Sequence, residues 1–343
     1  MSIVELGGVF MKPIIGKLFN KESLTRQEAR QAMDALMSGS VSPVMVAAFL
    51  GALRGKGESV EEICGFAQSM RNHAAKIPLT QKDLVDTCGT GGDGADTFNI
   101  STAAAFVLAA AGLYVVKHGN RSVSSLCGSA DVLEALGVKV DESPLQVAKS
   151  VEETGFGFLF AKTMHPSMKH VAPVRKELSV RTVFNLLGPL TNPAFAKRQV
   201  IGVYDKDLLE KMAHVLKELG SEEVMLVHGA DGLDEVTLTD KTYVAHLKEG
   251  KVESYAITPE DFGFERCSIE DLKGGDASEN ARILTGILKG EIKGPKRDIV
   301  VMNGACALMV AGKAGDFLAA RKMVESLLDN KKAYEVLEKV RAS

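Results

Sequence analysis

The stretch at residues 86–121 reads DTCGTGGDGADTFNISTAAAFVLAAAGLYVVKHGNR, and its pattern decides the fold class. It follows a short apolar run at 84–85 that is typical of the end of a strand. It then places four glycines within six residues, at 89, 91, 92 and 94. Glycine has no Cβ, so such a loop can turn sharply and approach a ligand closely. The stretch therefore predicts a strand followed by a ligand-binding loop.

A helix and a second strand complete this unit. Residues 103–111 are small and apolar, and we expect a helix there, capped by Asn99 or Ser101. A second apolar run at 113–116 ends in the polar group KHGNR at 117–121. A strand, loop, helix and strand of this length form a βαβ unit, whose ligands lie at the carboxyl ends of the strands. Loop N–H groups beside Lys117 and Arg121 favour a polyphosphate.

Two familiar glycine loops fit this spacing less well. The loop is not a Walker A loop, because no Gly-Lys-Ser/Thr follows. The pattern Gly89-x-Gly91-x-x-Gly94 matches the dinucleotide fingerprint. However, that site also needs an acidic residue about 20 residues further on, and here the second strand ends in Lys117 and His118. A plain turn with solvated polar residues is the remaining alternative, and polar groups at both strand ends count against it.

Length and composition set the frame for this prediction. The chain has 343 residues, 45% hydrophobic and 25% charged, enough for two domains of an ordinary globular protein. With a net charge of −3, the chain as a whole lacks the excess positive charge typical of a nucleic-acid-binding protein. The longest uncharged apolar run, 101–116, is too short to span a bilayer, and Glu5, Gly7 and Gly8 interrupt any signal peptide. Five scattered cysteines predict reduced thiols in a cytoplasmic enzyme with no membrane partner.

Residues 1–75 carry the signals of a small helical domain. Thr25 with Glu28, and Ser59 with Glu62, form capping boxes ahead of apolar periodic runs. Ser42 precedes a proline at the first position of a further helix. Three short amphipathic helices follow from these signals. Their surplus apolar residues suit either an ordinary core or a dimer contact.

A second informative segment contains PVRKEL at 173–178 and NLLGPLTNP at 185–193. A helix that begins near Pro173 places Arg175 in its first turn. The helix dipole disfavours a cation there, so Arg175 is a candidate anion ligand, with a solvated arginine as the alternative. The prolines of the second run predict a rigid, buried loop that links domains.

Three carboxylates follow a predicted strand at 224–227. Asp231, Asp234 and Glu235 lie in the glycine-containing run GADGLDE. Mg²⁺ usually takes one or two carboxylates together with water and substrate phosphates. Three carboxylates could not easily crowd together without a cation. Beside a phosphate loop the adjacent Asp234-Glu235 pair is a metal candidate, whereas alone such a pair is usually a solvated turn.

The remaining pattern predicts an α/β fold. We expect a strand at 138–140, a buried strand at 156–160, and a helix at 132–136 capped by Ser129 or Asp131. A single amphipathic helix is expected at 318–340. Hydroxyls at 122–125 and 128–131 would extend the ligand-lining loop.

These motifs together resemble the anthranilate phosphoribosyltransferases. The match rests on DTCGTGGD at 86–93, NIST at 99–102, KHGNR at 117–121, GSAD at 128–131, PVRKEL and NLLGPLTNP, and GLDE at 232–235. One departure is Ser179, where the family pattern has glycine. The resemblance implies a small helical N-terminal domain joined to a larger α/β domain with a mostly parallel central sheet and flanking helices. It places residues 1–75, with 166–190 packed on them, in the helical domain, and 76–165 with 191–343 in the other.

The resemblance also implies an activity and a set of roles. The family transfers phosphoribosyl from 5-phosphoribosyl 1-diphosphate to anthranilate in tryptophan biosynthesis, usually as a homodimer, with Lys117 and Arg175 as the catalytic candidates here. The diphosphate donor would contact Gly89, Gly92, Asp93, Thr97, Asn99, Ile100, Ser101, Thr102, Lys117, His118, Gly119, Asn120, Arg121, Ser122, Val123, Ser124, Ser125 and Ser129. Anthranilate would contact Gly89, Asn120 and Arg175, with His118 and His165 near its ring. One or two Mg²⁺ ions would be bound by Ser101, Asp234 and Glu235.

Two other functions use related architectures. A nucleoside phosphorylase of the same fold would bind phosphate and a nucleoside; the Asp234-Glu235 pair and KHGNR favour diphosphate chemistry instead. A non-enzymatic relative that binds nucleic acid should carry surplus basic residues, but this chain has 41 Lys and Arg against 44 Asp and Glu.

Overall fold

Four helices form the N-terminal part of the computed structural model, which describes residues 3–122 and 126–343. They are α1 (Ile3–Phe19), α2 (Arg26–Met37), α3 (Pro43–Lys56) and α4 (Val60–His73). Both predicted capping boxes are present: the Glu28 N–H donates to Thr25, and the Glu62 N–H donates to Ser59. Ser42 caps α3 through its backbone position only. The first helix, α1, lies in the part predicted to be helical but was not one of the three helices predicted individually.

A seven-stranded sheet forms the centre of the larger part. Its strands are β1 (Leu84–Gly89), β2 (Tyr114–Gly119), β3 (Phe156–Phe160), β4 (Arg198–Gly202), β5 (Glu223–Gly229), β6 (Thr242–Lys248) and β7 (Lys251–Ile257). The strand order is β3-β2-β1-β4-β5-β6-β7. The first five strands in this order are parallel, and β6 and β7 join as antiparallel strands. This confirms the predicted α/β class with a mostly parallel sheet.

Helices cover both faces of the sheet. They are α5 (Ile100–Ala110), α6 (Ser129–Ala135), α7 (Pro144–Thr154), α8 (Ala161–Met164), α9 (Ala172–Leu178), α10 (Phe184–Leu190), α11 (Leu209–Glu218), α12 (Ala277–Leu288), α13 (Pro295–Val310), α14 (Phe317–Asp329) and α15 (Lys332–Ala342). Short 3-10 helices lie at Pro166–His170, Lys206–Leu208, Pro259–Phe262 and Ile269–Leu272. None of the described helices is long and apolar enough to cross a membrane. All five cysteines are unpaired.

The helical part and one face of the sheet share a hydrophobic core. That core joins residues of α2 and α4, such as Met33 and Phe66, with Leu187 of α10 and Ile201 of β4. A separate core on the other face is built around α5 and α13. In addition, α9 packs on α3, and α10 packs on α4. The domain boundaries at residues 75, 166 and 190 stay predictions.

The sheet reverses its order of connection between β1 and β4. The chain passes from β1 to β2 on one side of this point and from β4 to β5 on the other. Such a switch point leaves a crevice at the carboxyl ends of the strands, where α/β proteins bind their ligands. Gly89 and Gly202, the last residues of β1 and β4, face each other there. The glycine loop begins at this crevice.

Several local predictions were wrong. Residues 138–140 form no strand; Val138 and Val140 are buried in the core but pair with no described strand. Residues 185–193, predicted as a loop, are mostly helix α10, because its apolar side chains pack on α4 and this burial outweighs the effect of Pro189. The expected single helix at 318–340 is two helices, α14 and α15, separated at Lys331, whose φ is 58°. The N-cap of α6 is Gly128 rather than Ser129 or Asp131.

Candidate active site at the carboxyl ends of the strands

The glycine loop, residues 89–99, connects β1 with α5. Gly91, Gly92 and Gly94 have φ of 65°, 81° and 71°, in the region that only glycine adopts readily. Gly89 is required for a different reason: a Cβ there would lie 2.6 Å from Oδ2 of Asp234. The loop therefore needs its glycines both for its turn and for the close approach of a carboxylate.

Backbone contacts fasten the start of the loop to the neighbouring strands. The Thr90 N–H donates to the Gly202 carbonyl at 2.9 Å, and the Gly91 N–H donates to Oδ2 of Asp234 at 2.8 Å. The Tyr204 N–H donates to the Thr90 hydroxyl at 3.0 Å. These bonds bring the end of β1, the end of β4 and the segment after β5 together at one place.

Lys117 lies beneath the loop, as its position at the end of β2 predicts. Its side chain is 2% exposed, and its ammonium donates to the Thr87 carbonyl and to the Ser101 hydroxyl, the latter at 3.4 Å. Burial lowers the pKa of Lys117, while the charge of Asp86 opposes this change. A cation is thus held at the first turn of α5, where it adds to the positive end of the helix dipole.

Two of the three predicted carboxylates face this cation. Oε1 of Glu235 accepts from the Ser101 N–H at 3.1 Å. Burial raises the pKa of Glu235 to about 7. Burial, together with the charges of Asp93 and Glu235, raises the pKa of Asp234 well above its usual range. Because both groups are costly to ionise in place, the site favours a bound cation.

Asp231 does not belong to this group, so the three carboxylates do not crowd together. Its Oδ2 accepts from the Thr237 hydroxyl at 2.6 Å, and Thr239 donates to the same oxygen. These bonds order the turn after β5 instead. The sequence could not separate Asp231 from Asp234, because both lie in one glycine-containing loop.

The remaining oxygen donors fit Mg²⁺. Ser101, Asp234 and Glu235 offer a hydroxyl and two carboxylates, and these hard oxygen ligands suit that ion. No group of three or more His, Cys, Asp or Glu residues in the described ranges is arranged to hold a metal alone. Mg²⁺ characteristically binds through one or two carboxylates and completes its ligands with substrate oxygens and water. The donor set therefore suits a metal that is shared with a phosphorylated substrate.

Two histidines lie beside each other at the edge of the site. The ring centres of His118 and His165 are 5.2 Å apart, and Nδ1 of His118 contacts the Gly188 carbonyl at 3.1 Å. Nε2 of each ring is buried without a hydrogen-bond partner in the described structure. Burial lowers the pKa of His118 to about 3 and that of His165 to about 4. Both rings are therefore neutral at physiological pH.

Arg175 is the fourth of the seven residues of α9 and lies in its last turn, where the helix dipole favours a cation, so the predicted first-turn position was wrong. Its guanidinium carbon lies 4.9 Å from the centre of the Phe184 ring. Within the described residues, no carboxylate lies within 4.0 Å of it. Burial lowers its pKa. A half-buried arginine that stacks on a ring and lacks an acidic partner is arranged to bind an anion.

Some predicted ligands have other partners in this structure. Arg121 donates to Asp131 and Glu134 on α6. The Ser129 hydroxyl donates to the Asn120 carbonyl at 3.2 Å. The predicted ligands Val123, Ser124 and Ser125 lie outside the described residues.

Other predicted donor ligands belong to the glycine loop, to the start of α5 or to the end of β2. Asn99 occupies the N-cap position of α5, as predicted, but its side chain donates to the Cys127 carbonyl at 3.1 Å and forms no capping hydrogen bond. Thr97 forms an isolated bridge with Lys273. The side chains of Ile100 and Thr102 are buried, so they would offer a ligand only their backbone. Gly119 packs closely against Ser129 and Phe158.

Two contacts of the site were missed in the sequence. Asp86 is fully buried, and its carboxylate accepts from the His118 N–H at 3.2 Å and from the Asn192 amide at 2.8 Å. Arg181 donates to the Gly92 carbonyl at 2.5 Å. A charged residue inside the apolar strand β1 was a signal for the first contact. No local signal indicated the second.

Comparison with known proteins identifies the same family as the sequence motifs. Residues 81–334 match the model described as glycosyl transferase family, a/b domain, and residues 12–74 match its helical bundle domain. An anthranilate phosphoribosyltransferase from Thermoanaerobacter sp. (strain X514) is 52% identical over 96% of this chain and 97% of its own length. The chain belongs to the anthranilate phosphoribosyltransferase family.

Solved structures of this family have the same fold. The enzyme from Thermus thermophilus is 46% identical and superimposes with a TM-score of 0.90, over 96% of this chain and 98% of its own. The Saccharomyces cerevisiae enzyme in complex with PRPP and Mg is 30% identical, with a TM-score of 0.89 and 97% of each chain covered. That enzyme was also solved in complex with 4-fluoroanthranilate.

The buried histidines make stability depend on pH. The pKa of His118 falls from 6.5 to about 3 on folding, so the unfolded chain binds this proton more tightly between those values. The stability contributed by the neutral ring is fully present above pH 6.5 and is lost as the pH falls. Between pH 7 and pH 5 we expect the free energy of unfolding of His118→Asn to fall by about 2 kcal/mol less than that of the wild type.

Urea unfolding at each pH measures this difference. His214→Asn, at an exposed position on α11, is the control and should follow the wild-type pH dependence. Parallel curves for His118→Asn and the wild type would contradict a neutral buried ring.

Proposed function

We propose that this protein transfers the phosphoribosyl group of 5-phosphoribosyl 1-diphosphate to the amine of anthranilate, with release of diphosphate, in tryptophan biosynthesis. The observation that carries the proposal is a site with two different halves. One half holds the glycine loop, Lys117 and two partly buried carboxylates, and suits a diphosphate with its metal. The other half would be formed by Arg175 and the two neutral histidines, and would suit a small aromatic acid. Membership of the family supports the same reaction.

The donor half is built to stabilise negative charge. The loop at 89–99 carries backbone N–H groups, and α5 directs its positive end to the same place. Lys117 lies within 3.4 Å of Ser101 and adds a fixed cation. As the bond from C1 of the ribose to the diphosphate breaks, negative charge grows on the departing oxygens. Groups that already point to this position stabilise that charge without further rearrangement.

Ser101, Asp234 and Glu235 would hold Mg²⁺ in this half, and Asp93 lies close enough to Asp234 to raise its pKa. When bound, the ion would neutralise charge on the diphosphate and act as a Lewis acid toward its oxygens. The Ser101 and Gly91 N–H groups already orient the two carboxylates. The number of ions, one or two, stays a prediction.

The acceptor half is built to hold anthranilate in one orientation. The Arg175 guanidinium can bind a carboxylate through two parallel hydrogen bonds, which fixes direction as well as position. The neutral rings of His118 and His165 would lie near the aromatic ring of anthranilate. Gly89 and Asn120 would complete this half.

Positioning is the main contribution of the protein to the reaction. The amine of anthranilate is of the aniline type and is neutral near pH 7, so it can attack C1 without prior removal of a proton by a strong base. The transition state would resemble an oxocarbenium ion, as in glycoside cleavage. Holding the amine and C1 in line accelerates the step by removing the entropy cost of their encounter.

We also infer that the protein forms a homodimer through its N-terminal helices. Helices α1 and α3 pack against each other. Val9 and Phe19 on α1 are 58% and 67% exposed, and Val44 on α3 is 77% exposed. Large exposed apolar side chains on adjacent helices favour an interface between copies of the chain. The cytoplasmic location stays a prediction.

The reaction itself is tested by mixing the purified protein with anthranilate, 5-phosphoribosyl 1-diphosphate and Mg²⁺. We expect the fluorescence of anthranilate to fall only when all three are present, and a metal chelator to stop the fall. Persistence of the fluorescence with folded protein would contradict the acceptor. Nucleoside phosphorolysis and nucleic-acid titration would then be assayed in its place.

The metal ligands are tested in the same assay with the double variant Asp234→Asn with Glu235→Gln. Because the variant lacks both carboxylates, its half-saturating Mg²⁺ concentration should rise by about tenfold or more. Asp231→Asn is the matched control, since Asp231 bonds to Thr237 and Thr239 instead. Equal Mg²⁺ titrations for the wild type and the double variant would reject this metal site.

Arg175→Ala tests the acceptor half. Loss of a charge-assisted, bidentate contact should raise the KM for anthranilate by about 10- to 100-fold, while the KM for the diphosphate donor stays within about twofold of the wild type. Lys176→Ala removes an exposed cation from the same helix and should change neither constant. Equal losses toward both substrates for Arg175→Ala would count against its role.

Val44→Glu tests the dimer. A buried charge at the proposed interface should shift the protein from about twice the chain mass toward the monomer in sedimentation velocity. Leu318→Glu, at a 53% exposed apolar position on α14, is the control and should leave the mass unchanged. A wild-type protein that sediments as a monomer at micromolar concentration would overturn the inference.

A further inference from the structure

Arg181 lies in the connection between α9 and α10 and reaches across to the glycine loop. Its Nη2 donates to the Gly92 carbonyl at 2.5 Å. Its guanidinium carbon lies 4.2 Å from the centre of the Tyr204 ring. Among residues that the structure describes, no carboxylate lies within 4.0 Å of Arg181. The ring and the carbonyl therefore hold this cation, although the side chain is exposed.

The position of Gly92 within the loop gives this contact its importance. One end of the loop is fastened through Thr90 and Gly91, as described above. The other end is fastened where Lys273 donates to the Ala95 carbonyl at 2.8 Å and the Gly274 N–H donates to the Asp96 carbonyl at 2.9 Å. Gly92 lies between these ends, with φ of 81°. The bond from Arg181 orients the peptide group at the centre of the loop.

This contact also connects separate parts of the molecule. The connection that carries Arg181 is flanked by Val174 and Val183, which are buried in the same core as the N-terminal helices. Tyr204 follows β4, and the glycine loop follows β1. One guanidinium thus joins the loop, the end of the β4 segment and the part of the chain that packs on the helical bundle.

We propose that Arg181 is a positioning residue that holds the glycine loop in the conformation that binds the phosphoribosyl diphosphate. This inference rests on the proposed function and adds a residue to it. Arg181 acts through the Gly92 carbonyl, so its effect appears in the loop before any substrate is bound. A glycine-rich loop loses much conformational entropy on ordering, and a residue that orders it in advance lowers that cost for the ligand.

Arg181→Ala and Arg181→Lys test the proposal, with Arg54→Ala as the control. Arg54 is an exposed cation on α3 that also faces Tyr204: burial raises the pKa of that phenol, while the charges of Arg181 and Arg54 oppose the change. The control variant therefore removes a similar charge from the same neighbourhood. Hydrogen–deuterium exchange of residues 89–97 is followed in the free protein. Calorimetry measures the binding of 5-phosphoribosyl 1-diphosphate with Mg²⁺ in the absence of anthranilate. The KM values for the donor and for anthranilate are measured as well.

In Arg181→Ala we expect faster exchange in the free loop and about tenfold weaker binding of the donor. The KM for anthranilate at saturating donor should stay within about twofold of the wild type. Arg181→Lys keeps the charge but loses the planar fork and its stacking on Tyr204, so it should restore only part of the affinity. Arg54→Ala should match the wild type in all three measurements.

Three results would overturn the proposal. Unchanged exchange with weaker donor binding would mean that Arg181 contacts the donor directly. A rise in the KM for anthranilate alone would make it an acceptor ligand. Equal effects of Arg54→Ala and Arg181→Ala would mean that Arg181 acts only through its positive charge and not through its bond to the loop.

Failure of the proposed function is recognised separately. In that case the wild type itself would not consume anthranilate, whereas the exchange comparison would still report whether Arg181 orders the loop.

Discussion

The site depends on how closely the segment after β5 approaches the ends of β1 and β4. A Cβ at Gly202 would lie 1.5 Å from the carbonyl oxygen of Asp234, and one at Gly89 would lie 2.6 Å from its carboxylate. Two strand ends without side chains therefore set the position of Asp234. Since Glu235 follows directly, the same approach places its carboxylate at the first turn of α5. The geometry of the candidate metal site thus depends on two glycines, Gly89 and Gly202, that have no side chain with which to bind the metal themselves.

This approach leaves an excess of buried negative charge. The Gly91 and Ser101 N–H groups each donate to one carboxylate, and Lys117 lies nearby, yet the pKa values of both acids remain raised. Burying a carboxylate is costly unless its charge is compensated. A metal-bound diphosphate would bring the cation that Asp234 and Glu235 lack. Its negative charge would be matched in turn by Lys117 and the start of α5. The metal would compensate the two carboxylates, and Lys117 with the start of α5 would compensate the diphosphate. The site therefore suits the donor and its metal together.

The sequence predicted those features whose cause is local. The capping boxes at Thr25 and Ser59 and the glycine loop follow from neighbouring residues, and the structure contains them. The rigid, buried loop predicted at 185–193 was wrong because contacts with α4, distant in sequence, stabilise a helix there. Spacing could not tell Asp231 from Asp234, because the difference lies in which residues each one meets after folding. Motif resemblance supplied most proposed roles, and residue types alone would have stopped at a phosphate loop with nearby carboxylates.

The connection between α9 and α10 shows why the site is one unit rather than two. Arg175 and Arg181 are six residues apart in the sequence, yet in the proposed site they would serve different halves. Arg175 stacks on Phe184 and faces no carboxylate in the described structure, whereas Arg181 bonds to the glycine loop. Both side chains are carried by a segment that packs on the helical bundle. In the proposed site, this shared segment would link the position of the acceptor contact at Arg175 with the order of the glycine loop at Gly92.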